Sequence, residues 1–307
     1  MTLIFAGTPE FAVPALEALV AAGHRPALVL TQPDRPAGRG QQPRPPAVKV
    51  AALAHQLPVA QPERLGGLRE RLGALEPHVV VVVAYAHKIP GWLLELPPWG
   101  CLNIHASLLP RYRGASPVAA ALLHGDSVAG VSIMRLDAGW DTGPVLAQHA
   151  LPVAAEDTAG TLTAKLAEAG AELLVNTLAG LVAETVIATP QDNALATYAP
   201  KLTKADGLLD WALPAEALVC RVRAFTPWPG AYAFWQGRQL KVLQASAASA
   251  TAGTEPGRVL PGARVGTADG VLRLERVQLE GRKPLSIADF LAGQPSFIGS
   301  SLTSARR

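Results

Sequence analysis

His78-Val79-Val80-Val81-Val82-Val83-Ala84-Tyr85 carries five valines in a row with no polar residue between them. Stacked β-branched side chains favour an extended chain, and without polar alternation both faces of that strand must be buried. Covering layers are then needed on each side, and the flanking sequence supplies helices for them. Leu3-Ile4-Phe5-Ala6-Gly7 is a second apolar strand, residues 10–22 form a helical stretch ended by Gly23, and residues 26–31 form a third strand. Strand, helix, strand in that order predicts parallel pairing with right-handed crossovers. Helices are expected over residues 48–55 and 64–75, and a strand over residues 101–105. Ser116-Pro117 opens another helix, with an N-cap and a proline in the first turn. Strands over 131–136 and 145–149, and a long helix capped by Asp157-Thr158 and reaching about residue 182, complete the pattern. The expectation is an α/β, doubly wound, Rossmann-like domain with a mostly parallel sheet, spanning residues 1–189.

Residues 190–206 have weak periodicity and polar punctuation and read as a linker. Beyond them, residues 214–224 form a short helix and Thr226-Pro227-Trp228-Pro229-Gly230 a rigid turn. Trp228, between two prolines, reads as a packing anchor between domains, with stacking on a base as the alternative. Alternating segments follow at 231–235, 239–244, 257–260, 270–274 and 277–279, separated by Gly-rich turns. That spacing predicts a smaller β-barrel, OB-like, over residues 207–307. Residues 245–254 read as a low-complexity loop. In residues 32–46 proline and glycine exclude regular structure, leaving a long exposed loop that carries Arg35, Arg39 and Arg44.

Composition narrows the function classes. With 307 residues, 49% hydrophobic and 17% charged, the chain forms folded domains, and two are expected. The cysteines, Cys101 and Cys220, form no disulfide framework, and no metal-ligand spacing is present. The N-terminus lacks a basic region before its apolar stretch, and the densest apolar run, residues 79–86, is far short of a bilayer span. A cytoplasmic protein without membrane or metal partners is expected. The net charge of +3 is unevenly spread: residues 207–307 hold 12 Lys/Arg against 7 Asp/Glu. Arg221, Arg223 and Lys241 belong to this basic excess, which suits a phosphate-rich partner. The three loop arginines suit one too, since guanidinium groups pair with phosphate through two parallel hydrogen bonds.

The chemistry starts at the end of the strand over 101–105. Asn103 and His105 alternate along it, so both project from one face. An amide donor beside an acid/base group is what acyl transfer needs, one to stabilise an oxyanion and the other to move a proton. Asp137-Ala138-Gly139-Trp140-Asp141-Thr142-Gly143 offers a carboxylate in a Gly-flanked turn.

Asn103-Ile104-His105-x-Ser107-Leu108-Leu109-Pro110-Arg111-Tyr112-Arg113-Gly114, followed by Asp137-x-Gly139-x-Asp141-Thr142-Gly143, resembles the signature of the folate-dependent formyltransferases. Gln32-Pro33-Asp34-Arg35-Pro36-Ala37-Gly38-Arg39-Gly40, Thr197-Tyr198-Ala199-Pro200-Lys201, Asp210-Trp211 and Trp228-Pro229-Gly230 narrow the resemblance to those acting on methionyl-tRNA. It extends from Leu3 to about Leu291. The resemblance implies formyl transfer from 10-formyltetrahydrofolate, a cosubstrate, to the α-amine of methionyl-initiator tRNA, carried out by a monomer for translation initiation. It implies that Asn103, His105 and Asp141 are catalytic, with Asp137 left to shape the turn. Ser107, Leu108, Leu109 and Pro110 would line the folate pocket, and Arg39 would enter the acceptor stem. Two rival readings are a folate-dependent formyltransferase acting on a small amine, such as glycinamide ribonucleotide or an amino sugar, and a non-catalytic RNA-binding module. The chain departs from the family pattern where Ala86-His87-Lys88 replaces a common glycine after Ala-Tyr, and where Ser116-Pro117-Val118-Ala119-Ala120 lacks a glutamine.

Overall fold

The computed structural model describes residues 1–37, 42–249 and 254–305, which divide into two compact units. The first comprises residues 1–114, 128–152 and 163–198. The seven strands of its main sheet are β1 (Leu3–Gly7), β2 (Leu28–Leu30), β3 (Val59–Ala60), β4 (Val79–Val83), β5 (Cys101–His105), β6 (Val128–Arg135) and β7 (Val145–Pro152). In space they run β7-β6-β5-β4-β1-β2-β3. The five strands from β5 to β3 pair in parallel, while β6 and β7 are antiparallel additions at one edge. The chain builds outward on both sides of the β1–β4 pair, the point in such sheets where a crevice opens beyond the strand ends. All five valines of β4 are buried, as the lack of alternation requires.

Among the described residues the α-helices are α1 (Val13–Ala21), α2 (Ala47–Ala54), α3 (Arg69–Gly73), α4 (Gly91–Leu94), α5 (Pro117–Leu123), α6 (Ala159–Val182), α7 (Ala215–Ala224) and α8 (Ile287–Gly293). One sheet face joins Ile4, Leu28, Val80 and Cys101 to Leu72 and Leu93 in a continuous core. The other face takes α6, whose Gly170 lies so near Ile104 and Val131 that a Cβ would meet Ile104 Cγ2 at 2.7 Å. Among the described residues no helix is long and apolar enough to cross a membrane.

Several local expectations change. The helix expected over 64–75 is a 3-10 turn, Leu65–Leu68, followed by the short α3. Gly66 and Gly67 sit in that turn, and a glycine pair weakens continuous α-helix. Residues 32–46 are not wholly irregular, because Arg35–Ala37 pairs antiparallel with Gln42–Arg44. Pro36 stands opposite Pro43, which must be a non-hydrogen-bonded site of the ladder, so neither missing N–H is needed. Arg39 lies outside the described residues. Ser116 occupies the N-cap of α5 without a side-chain capping bond, leaving Pro117 to open the helix. At α6 the cap is reciprocal: Thr158 Oγ1 accepts from Thr161 N–H at 3.3 Å, and Thr161 Oγ1 accepts from Thr158 N–H at 2.9 Å.

The second unit holds residues 115–127 and 153–162, read from sequence with the first domain, together with the chain from residue 199. Its strands are β8 (Ala231–Trp235), β9 (Arg238–Ala248), β10 (Val259–Leu260), β11 (Arg264–Gly266), β12 (Val271–Leu279) and β13 (Leu285–Ser286). They form an antiparallel sheet ordered β8-β9-β12-β11-β10, with β13 on β12. Thr303 exchanges two backbone bonds with Phe234 of β8, and Leu302 N–H bonds Gly257 beside β10, so the last residues join the two edges. Strand β9 runs four residues into the stretch read as a loop, pairing Ala245 with Leu274 through Ala248 with Val271. The segments 270–274 and 277–279 are one strand, β12, which stays paired with β9 through two compensating register shifts on either side of Gln244. Trp235, Phe290 and Phe297 pack edge to face at 5.0–5.9 Å and centre this unit's core.

Candidate active site

Strand β5 ends at the carboxyl edge of the parallel strands, where open α/β sheets bind ligands. Ile104 faces α6, so Asn103 and His105 project from the opposite face, beside Met134 and Ser132 of β6. The Asn103 amide is partly exposed, and among the described residues it has no hydrogen-bond partner. The His105 ring is buried, with Nε2 at 2.9 Å from the Tyr112 carbonyl oxygen. A carbonyl only accepts, so Nε2 carries a proton and Nδ1 is the position for a second one. Nδ1 lies 3.8 Å from Asp141 Oδ2. That same oxygen accepts the Gly114 N–H at 2.8 Å, which fixes the carboxylate against the chain leaving the Ser107–Gly114 stretch.

The turn that presents Asp141 is tightly tied. Asp137 accepts from Gly139 N–H at 3.0 Å and from Thr142 Oγ1 at 2.7 Å, so it shapes the turn. Asp141 itself sits at φ 54°, a left-handed conformation that costs energy for a non-glycine residue. Gln191 donates to the carbonyl oxygens of Asp141 at 2.8 Å and Gly143 at 2.7 Å.

Ser107, Leu108, Leu109 and Pro110 form a loop stitched to the sheet by Ser132. The Ser132 hydroxyl donates to the Ser107 carbonyl at 2.6 Å and accepts the Leu109 N–H at 3.1 Å. Ser107 Oγ donates to the Arg111 carbonyl at 2.6 Å, and Gln148 donates to the Leu109 carbonyl at 2.9 Å. Leu109 and Pro110 border a cleft of about 370 Å³ whose lining also includes Gln148, Thr189 and Gln191. At the end of β4, burial pushes the Tyr85 phenol up to about 12, and the His87 ring meets Tyr85 edge-on at 5.2 Å. Ala84 and Ala86 flank Tyr85 at φ 47° and 66°. A family glycine at residue 86 therefore has a physical reason, which alanine meets only under strain. Among the described residues no group of His, Cys, Asp or Glu is placed to hold a metal ion.

The basic residues separate by environment. Arg35 and Arg44 are exposed and stand directly opposite each other across their ribbon. Lys49 and Gln61 grip Asp34 at the ribbon's root, and their hydrogen bonds hold its carboxyl below the usual carboxylate range. Lys241 is half-buried on β9, and the Arg221 guanidinium lies 5.8 Å from the Phe225 ring centre. Arg223 is engaged internally, donating to the carbonyls of Asp157 at 2.7 Å and Ala154 at 2.8 Å. Trp228 is 51% exposed, so it is not the packed anchor its prolines suggested.

Sequence reasoning did not find Ser132, Gln148 or Gln191. Ser132 left a trace, a lone hydroxyl within the apolar run Val131-Ser132-Ile133-Met134. Gln191 left none, since its partners lie 50 and 48 residues away.

Residues 1–178 match the family described as Formyl transferase, and residues 201–295 match Formyl transferase, C-terminal domain. A methionyl-tRNA formyltransferase of Koribacter versatilis is 48% identical over 303 residues, covering 95% of this chain and 96% of that protein. A methionyl-tRNA formyltransferase of Chromobacterium violaceum is 48% identical over 309 residues, covering 98% and 99%. Among solved structures, HypX from Aquifex aeolicus in complex with tetrahydrofolic acid aligns with a TM-score of 0.65 at 17% identity, over 97% of this chain and 48% of HypX. With both matched regions present, the chain belongs to the formyl transferase family.

Proposed function

We propose that this protein transfers the formyl group of 10-formyltetrahydrofolate to the α-amine of methionyl-initiator tRNA for translation initiation, as a monomer in the cytoplasm. Identity of 48% along almost the whole of two methionyl-tRNA formyltransferases supports that acceptor over a small amine. The observation that carries the chemistry is the buried His105 ring, tethered through Nε2 and turned with Nδ1 toward Asp141 at 3.8 Å, on the strand face that also bears the Asn103 amide, which is without a partner among the described residues. A free α-amine has a pKa of roughly 7.7–8.0, so enough is neutral near pH 7 to attack the formyl carbon without a strong base. Attack turns the carbonyl oxygen into an oxyanion, which Asn103 stabilises by donation. Nδ1 of His105 receives the proton lost by the attacking nitrogen, and the Asp141 carboxylate stabilises the resulting imidazolium. Collapse of the tetrahedral centre expels N10 of tetrahydrofolate, which takes up the proton that His105 received and so restores the neutral ring.

Ser107, Leu108, Leu109 and Pro110 form the folate-facing loop in this proposal, and residues 1–189 the catalytic domain. Residues 207–307, linked through 190–206, form the tRNA-binding domain. Arg35 and Arg44 face one another with like charge, an arrangement that is unfavourable without an anion between them, and this supports phosphate contact. Arg39, Arg221 and Lys241 complete the proposed tRNA set. Arg223 is withdrawn from it, because its Nε and one Nη2 hydrogen are already given to two backbone carbonyls. Transfer of labelled formyl from 10-formyltetrahydrofolate to methionyl-tRNA, glycinamide ribonucleotide and a nucleotide-linked amino sugar tests the reading. Label is expected on the tRNA alone, and labelling of a small amine instead would overturn the assignment.

A further inference from the structure

The segment between the two matched family regions contains a side chain wired into the candidate site. We propose that Gln191 is a positioning residue that sets the Asp141 carboxylate, an inference that rests on Asp141 being catalytic. Both hydrogens of one Gln191 amide are directed at the Asp141 turn, at 2.8 Å to the Asp141 carbonyl and 2.7 Å to that of Gly143. The amide oxygen at the other end accepts from Arg113 Nε at 3.0 Å. Arg113 is 1% exposed, its other arm donates to Asn193 Oδ1 at 2.9 Å, and its backbone N–H donates to the Thr197 carbonyl. Gln191 thus connects a buried guanidinium to the turn through three hydrogen bonds, with no rotational freedom left in its amide.

The turn needs such a clamp. Asp141 is held at φ 54°, and a residue in that region persists only where its surroundings over-determine it. Its side chain is fixed from one direction by Gly114 N–H and its backbone from another by Gln191. The result is an oxygen 3.8 Å from His105 Nδ1, a separation that a small rotation of the turn would open. Among these hydrogen bonds none joins Gln191 to His105 or Asn103, so its route to the site runs through Asp141. A side chain that also borders the cleft beside Leu109 and Pro110 would couple the turn to that loop as well.

The test is a double-mutant cycle on formyl transfer to methionyl-tRNA, with melting curves for every variant. Gln191→Met keeps length and removes both donors. It is expected to lower kcat by about 10- to 100-fold, the scale of an ångström-sized misplacement, with KM for either substrate nearly unchanged. In an Asp141→Asn background the same substitution is expected to cost almost nothing further, because the group it positions is already lost. A residue that serves stability alone would instead cost the same factor in both backgrounds. If Asp141→Asn leaves transfer intact, the catalytic reading fails. If Asp141→Asn is slow but Gln191→Met is as fast as the parent, or adds its full factor on top, the positioning role fails. Should Gln191→Met not fold, Gln191→Glu decides: its rate relative to the parent must rise as pH falls and the acid regains a donor, and a flat ratio overturns the proposal.

Discussion

Asn103 and Ala86 show how single residues sit at opposite ends of a trade between comfort and use. The Asn103 side chain, half-buried midway along β5, bonds to nothing among the described residues. Truncating it breaks no internal bond, so Asn103→Ala should leave the denaturation midpoint within the ordinary range of surface changes, about 0.5 kcal/mol. The same variant should lose roughly 10²–10³ in kcat, the usual cost of one oxyanion donor. A normal rate would remove the amide from the mechanism. Ala86 is the reverse case, a residue held at φ 66° for the sake of the chain around it. The left-handed region costs an L-residue roughly 1–2 kcal/mol, of which the greater freedom of unfolded glycine takes back about 0.4–1. Ala86→Gly should therefore raise stability by about 0.5–1 kcal/mol, read from the urea midpoint. An unchanged or lower midpoint would mean that the His87 ring packing compensates for the backbone.

At the scale of elements, strand β6 does two jobs with alternate residues. Val131 faces Gly170 of α6, whereas Gly130 and Ser132 face the Ser107–Pro110 loop. Ser132 bonds that loop, and Gly130 makes room for it: a Cβ there would strike both the Leu108 side chain and the His149 carbonyl. Because one obstacle is backbone, Gly130→Ala cannot be absorbed by a rotamer change alone. It should destabilise by about 1–3 kcal/mol, as overpacking does, and raise KM for 10-formyltetrahydrofolate by displacing Leu108. A lower midpoint with an unaltered folate KM would separate the loop from folate binding. Elements of this kind were legible where burial alone dictated them, as in β4, whose valines allowed no other reading, and in β5, where alternation put Asn103 and His105 on one face. Legibility failed where a distant partner decides. The Arg35–Arg44 ribbon exists because two prolines meet at a site needing no N–H, and β9 extends through alanines because β12 lies alongside. Gln191 looked like linker because its function is defined only by a turn far away in sequence.

The charge of the whole chain is concentrated in its last third, yet the excess is not uniformly available. Arg223 gives hydrogen bonds to two carbonyls and closes the stretch before α6, whereas Lys241 makes no ion pair among the described residues. Counting basic residues from sequence treats these two alike, and packing separates them. A cation that contacts phosphate displaces counterions, so its removal should flatten the dependence of log K on log salt by about one unit. Lys241→Ala should do so in titrations of methionyl-tRNA across a range of salt, with the protein's melting midpoint unmoved. Arg223→Ala should leave the slope as it was and lower stability by about 1–3 kcal/mol, since it strips two carbonyls of their donors. Equal slopes for Lys241→Ala and the parent would take Lys241 out of the tRNA surface. A flatter slope for Arg223→Ala would show that its internal bonds are given up when tRNA arrives. The basic excess would then be a reserve released on binding, and static burial would be the wrong guide to which cations meet the nucleic acid.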